Sequence, residues 1–82
     1  MNIEKQQIKN IIMKLSARNK LSGTVKSIDN GLITAKVVIG LGNGNEIVSI
    51  ISRDSVEGLG LKVGQDACAI IKSTEVIIGV PE

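Results

Sequence analysis

Ile33-Thr34-Ala35-Lys36-Val37-Val38-Ile39 is the stretch that decides the fold. Ile33, Ala35, Val37 and Ile39 alternate with Thr34, Lys36 and Val38. Successive side chains on a strand point to opposite faces, so a period of two marks a strand with one face on a core. Just upstream stands Asp29-Asn30-Gly31. It is a strong turn signal, because Asn and Gly tolerate positive φ. Before that turn, Leu21, Gly23 and Val25 alternate with Ser22, Thr24 and Lys26, which predicts a first strand. After residue 39, Gly40, Gly42, Asn43, Gly44 and Asn45 predict a hairpin loop over 40–45. Residues 47–51 predict a third strand, apolar on both sides except at Ser49, as a strand covered on both faces would be.

The period changes at Ser52. Ser52-Arg53-Asp54-Ser55-Val56-Glu57 reads as a helix start, with Ser52 able to cap the amide of Ser55 and Asp54 suited to the first turn. Gly58 and Gly60 stop the helix within about two turns. Leu61-Lys62-Val63-Gly64 is another turn. Residues 67–72 and 76–79 predict the last two strands, parted by Ser73-Thr74-Glu75. The expectation is all-β: five short strands with one short helix between strands three and four. That count and order suit a small closed barrel of the five-stranded oligonucleotide/oligosaccharide-binding (OB) kind.

Composition narrows the function. The chain has 82 residues, enough for one domain. Apolar residues are 43% and aromatic residues are absent, so aliphatic side chains must build the core. So small a domain is near the limit of independent stability, and a subunit interface is an expected supplement. His is absent and Cys68 is the sole cysteine. Zinc fingers, Cys/His metal sites, internal disulfides and serine or cysteine catalysis through a histidine are thereby excluded within one chain. No apolar stretch approaches the roughly 20 residues that cross a bilayer. Ile11-Ile12-Met13 is too short for a signal peptide, so a soluble cytoplasmic protein is expected.

The net charge of +2 comes from residues 1–15, where Lys5, Lys9 and Lys14 outnumber Glu4. From Ser16 onward seven basic residues meet seven acidic ones, so the domain proper is neutral and carries no nucleic-acid footprint. Residues 1–15 are therefore read as an extension and residues 16–82 as the domain. Ile3, Ile8, Ile11, Ile12 and Leu15 fall near helical spacing. Two readings of the extension stay open: a short amphipathic helix, or translated leader ahead of a start at Met13.

Catalytic groups are scarce. Asp54 and Glu57 lie one turn apart, as on a solvated helix face. Gly40-Leu41-Gly42-Asn43-Gly44 lacks the lysine and following helix of a phosphate loop. Cys68 sits in Ala-Cys-Ala-Ile-Ile and reads as a small core residue. What remains is three donor-rich segments: Ser16-Ala17-Arg18-Asn19, residues 52–55, and Lys72-Ser73-Thr74. Taken singly, Ser52 is a helix cap and Lys72 a charge at a strand end.

Taken together, the segments resemble a family. Ser16-Ala-Arg-Asn19, Leu21-Ser-Gly-Thr-Val25, Ser49-Ile-Ile-Ser-Arg-Asp-Ser-Val56, Leu59-Gly-Leu-Lys-Val-Gly64 and Ile71-Lys-Ser-Thr-Glu-Val76 are similar to the molybdopterin-binding (Mop) domain of the molbindins. The resemblance covers residues 16–80 and implies a Mop/TOBE-type OB barrel. It also implies homohexamers built as trimers of dimers, with molybdate or tungstate held as an oxyanion at subunit interfaces. Carried over by position, it implies Ser16, Arg18, Lys72 and Ser73 as one set of ligands. Ser52 and Ser55 would supply hydroxyls from a neighbouring chain. No organic cofactor, bare metal cation, nucleic acid or membrane is implied as a partner.

The chemistry of these residues agrees with such a ligand. Molybdate is a dianion that accepts hydrogen bonds and donates none. Serine hydroxyls, backbone amides and an ammonium can all donate to it. Hydrogen phosphate carries a proton, and leaving that proton unpaired costs about 1–3 kcal/mol. The expected function is therefore storage or buffering of the oxyanion, without catalysis. Delivery of molybdate to a partner protein, or sensing for one, needs the same pocket. Binding of single-stranded nucleic acid is a distant third, because bases stack on aromatic rings and this chain has none.

Overall fold

The computed structural model describes residues 16–82. The extension inferred for residues 1–15, with its helix and leader readings, lies outside the described residues. Four strands follow in order: β1 (Asn19–Asn30), β2 (Thr34–Gly42), β3 (Asn45–Ser52) and β4 (Asp66–Ile71). A helix, α1 (Arg53–Leu59), connects β3 to β4, and a 3-10 turn (Ser73–Glu75) follows β4. The strands form one antiparallel sheet in the order β3-β2-β1-β4.

The sheet curls because β1 serves two partners with its two halves. Residues from Asn19 to Thr24 pair with β4, and residues from Thr24 to Asn30 pair with β2. A bulge between Val25 and Ser27 separates the halves, and such an extra residue bends a strand and sharpens its twist. At the bend Val25 donates its amide to Gln65 O at 2.9 Å and accepts from Gly64 N at 2.8 Å. Gly23 permits the close approach of β1 to β2. A Cβ there would stand 2.3 Å from the Gly40 carbonyl oxygen, well inside contact distance.

The period-two reading holds over residues 35–39 but fails at Ile33, which is 78% exposed in the bend before β2. Ala35, Val37 and Ile39 are buried while Lys36 between them is exposed. They join Val25, Val56 of α1 and Ala69 of β4 in the core. Ile28, Leu41, Ile47, Ile51, Leu61 and Ala67 pack around that centre, so the core is wholly aliphatic. The helix also forms as expected. Ser52 is its N-cap, its Oγ accepting from Ser55 N at 3.0 Å, and Gly60 ends it with φ 63°.

Three expectations need correction. The hairpin loop expected over 40–45 is a two-residue turn, Asn43-Gly44, with φ 56° and 79°. Positive φ at both central residues matches the twist of a hairpin, so the ladder runs on through Gly40 to the turn. Covering of β3 on both faces does not occur within one chain: Val48 and Ile50 are exposed. Most importantly, the fifth strand expected over 76–79 does not form, and the barrel is open. Val76 is extended (φ −89°, ψ 125°), but Ile77, Ile78 and Val80 are 93%, 81% and 80% exposed and join no ladder. β-propensity favours an extended backbone, but a strand also needs a neighbour for its N–H and C=O groups. This chain folds as a four-stranded half-barrel.

Candidate functional site

The antiparallel pairing of β1 with β4 sets Asn19 opposite Ile71. It thereby places the segment entering β1 beside the segment leaving β4. The two are pinned where Asn19 Nδ2 donates to Ile71 O at 3.3 Å. Between them lies an open depression of about 470 Å³. Ser16, Ala17 and Arg18 line one side; Ile70, Lys72, Ser73 and Thr74 line the other.

The 3-10 turn shapes the second wall. Glu75 N donates to Lys72 O at 2.9 Å, so the chain folds back directly after Lys72. Lys72 itself is the extended residue at the start of the turn (φ −66°, ψ 139°), and its side chain makes no capping bond. Among the described residues the side chains of Ser16, Arg18, Lys72 and Ser73 hold no hydrogen bond or ion pair. No described carboxylate lines the depression. Among the described residues the site thus carries two cations and three hydroxyls, with no anion lining it to neutralise them. An ammonium and a guanidinium only donate, so the arrangement favours an acceptor-rich, negatively charged ligand. Among the described residues, no group of three His, Cys, Asp or Glu side chains is placed to hold a bare metal ion.

Four of the six candidate ligands therefore come together: Ser16, Arg18, Lys72 and Ser73. Ser52 and Ser55 do not join them. They stand at the end of β3, with β2 and β1 between β3 and β4 in the sheet. Their hydroxyls lie 2.7 Å apart, and Ser52 Oγ also accepts from the Ser55 amide. Arg53 fixes this corner to the preceding turn: its amide donates to Ile33 O at 2.8 Å and Nη1 to Gly31 O at 3.3 Å. Thr74 lines the depression and was not among the candidate ligands. Its signal was its place in the donor-rich run Lys72-Ser73-Thr74.

The TOBE domain model matches residues 15–78, which takes in both walls of the depression and the whole sheet. The chain belongs to the TOBE domain family. Within the family it is of the Mop, or molbindin, type. It is 54% identical over 66 residues to molybdenum-pterin-binding protein 1 of Clostridium pasteurianum, spanning 80% of this chain and 97% of the relative. Among solved structures it is similar to the cytoplasmic molybdate-binding protein ModG with molybdate bound. The TM-score there is 0.79 and the identity 50%, over 83% of this chain and 48% of ModG. It is also similar to a molybdate-binding protein from Sporomusa ovata, with a TM-score of 0.77 and 43% identity over 83% of this chain and 100% of that one. No helix of the described part of this Mop domain is long and apolar enough to cross a membrane.

Proposed function

We propose that this Mop domain binds molybdate or tungstate as the intact oxyanion and stores or buffers it in the cytoplasm, without catalysis. The observation that carries the reading is the depression between the start of β1 and the end of β4. It gathers Arg18, Lys72, Ser16 and Ser73 with no described carboxylate, in a chain half identical to ModG. A fully ionised tetrahedral dianion can accept from every one of these groups at once. Thr74 adds a third hydroxyl to the same wall.

The names of the sequence relatives mention a pterin, a flat ring system. A pterin is best held by a stacking surface, and this chain has no aromatic side chain to provide one. The oxyanion alone fits the donors better.

We further assign the site to an interface in a homo-oligomer, a hexamer built as a trimer of dimers. Ser52 and Ser55 then reach the depression from a neighbouring copy, since neither lines it within one chain. The exposed aliphatics of β3, Val48 and Ile50, support burial against another subunit.

Native mass spectrometry with molybdate, sulfate and phosphate in separate titrations tests this directly. The expected result is a multimer that takes up molybdate and leaves phosphate unbound. A folded protein that ignores molybdate and tungstate at millimolar concentration would overturn the reading.

A further inference from the structure

Asn-Gly occurs twice in the chain, at Asn30-Gly31 and at Asn43-Gly44. Asparagine is a thermolabile residue, and this pair is where its chemistry is easiest. The side-chain carbonyl carbon is an electrophile, and the backbone nitrogen of the next residue is the nucleophile beside it. Glycine puts no side chain in the path of attack. The nitrogen must first give up its proton to base, so an N–H already held by a backbone acceptor is a poor nucleophile.

The fold treats the two pairs differently. Gly31 N donates to Thr34 O at 2.8 Å, and Gly31 O accepts from Arg53 Nη1 at 3.3 Å. A Cβ on Gly31 would stand 3.0 Å from that same Thr34 oxygen. Asn30 is itself held in the ladder opposite Ala35. Asn43 and Gly44 instead form the turn between β2 and β3, outside both strands, and both are exposed. Among the described residues Gly44 N donates to no acceptor, and the Asn43 side chain has no hydrogen-bond partner. A Cβ on Gly44 would meet nothing within 4 Å, so solvent reaches its amide.

We propose that Asn43 is a site of spontaneous deamidation and isoaspartate formation, from which the fold protects Asn30. The inference is independent of the oxyanion reading. Base removes the Gly44 amide proton, the nitrogen bonds Asn43 Cγ, and the side-chain nitrogen leaves as ammonia. The product is a cyclic imide, which water opens at either carbonyl. Cleavage of the new Cγ–N bond gives aspartate. Cleavage of the original backbone C–N bond gives isoaspartate, with the chain running on through Cβ and Cγ. Both products add a negative charge, but only isoaspartate adds a carbon to the backbone. Register here is fixed by a two-residue turn with φ 56° and 79°, so the added carbon loosens the β2–β3 hairpin.

Peptide mapping by mass spectrometry of the full folded chain, aged in mildly alkaline buffer beside a urea-unfolded sample, tests the proposal. The mass gained when NH2 becomes OH marks each converted site, and retention against synthetic standards separates aspartate from isoaspartate. In the folded chain Asn43 is expected to convert about tenfold faster than Asn30, because attack at Gly31 first requires local opening. In urea the gap should close. Conversion should quicken as pH rises, because the attacking amide must lose its proton. Chains with isoaspartate at position 43 should melt below Asn43→Asp, which carries the same charge on an unaltered backbone. Equal conversion of the two sites in the folded chain, or faster conversion at Asn30, would overturn the proposal. So would a folded chain that keeps Asn43 while the unfolded one loses it, since the turn would then be protective. A gap that persists in urea would place the difference in the sequence and not in the fold, also against it. Equal melting of the isoaspartate and Asn43→Asp chains would overturn the effect assigned to the hairpin.

Discussion

Lys72-Ser73-Thr74 and Ser52-Arg53-Asp54-Ser55 look alike as sequence: each is a short polar run behind an apolar strand, with hydroxyls and one cation. In the fold their circumstances differ. At Ser52 the donors are occupied: one hydroxyl caps α1, the two hydroxyls bond each other, and Arg53 bonds Gly31 and pairs with Glu57 at 3.6 Å. At Lys72 the side chains are unengaged among the described residues and face Arg18 and Ser16 across a depression. A polar group already bonded within the fold contributes to stability, whereas an unbonded one converging with others is available to a ligand. The first cluster therefore reads as architecture that a neighbour can also use, and the second as the site.

The sharpest way to break this comparison is Lys72→Ala. Losing a charge-assisted hydrogen bond of about 1.5–3 kcal/mol should weaken molybdate binding about 10- to 150-fold by calorimetry. The melting temperature should hold, because the side chain has no partner in the fold. Unchanged affinity would take Lys72 out of the site.

Ser52→Ala should do the reverse. Removing an N-cap costs about 1 kcal/mol, which lowers the melting temperature of so small a domain by about 4–8 °C in a thermal scan. An unmoved melting temperature would mean that the cap bond seen here carries no weight. Ser52→Gly then sharpens the contrast. Glycine caps nearly as well as serine, within a few tenths of a kcal/mol, but has no hydroxyl. If a neighbouring copy uses Ser52 as a ligand, the glycine variant keeps its stability and loses molybdate affinity. If both are retained, Ser52 is a cap alone.

The smallest effect is expected far from both clusters. Lys26 Nζ lies 2.7 Å from Glu46 Oε2, but both side chains are largely exposed. Glu46→Gln should change stability by under about 1 kcal/mol and leave molybdate affinity unmoved. A marked loss of binding would show that affinity follows overall charge rather than the local geometry of the depression.

Particular residues show where the sequence was legible. Alternation over residues 33–39 marked β2, because a half-buried strand imposes a period that needs no knowledge of its partner. The cap at Ser52 was legible for the same reason, since donor and acceptor lie three residues apart. The hairpin turn was located only loosely, because Gly40 and Gly42 look like loop residues although the ladder passes through them. The role of Gly23 was not legible. Nothing local to it reveals that the Gly40 carbonyl, seventeen positions away, comes too close for a side chain. The six candidate ligands were named by family resemblance; local pattern marked only three donor-rich runs. That four of the six share one depression while two do not depends on the pairing of Asn19 with Ile71.

The order of residues alone determined the all-β class, the aliphatic core, the short capped helix and the lack of histidine or paired-cysteine chemistry. Each follows from composition or from interactions within a few positions. Only the tertiary structure decided that the barrel stays open in one chain, that residues 76–80 carry strand character without a ladder, and that Arg18 and Lys72 line one depression. Those outcomes are set by contacts between segments tens of residues apart. A hydrogen-bond ladder needs a second strand alongside, and a residue's own sequence neighbours cannot provide it.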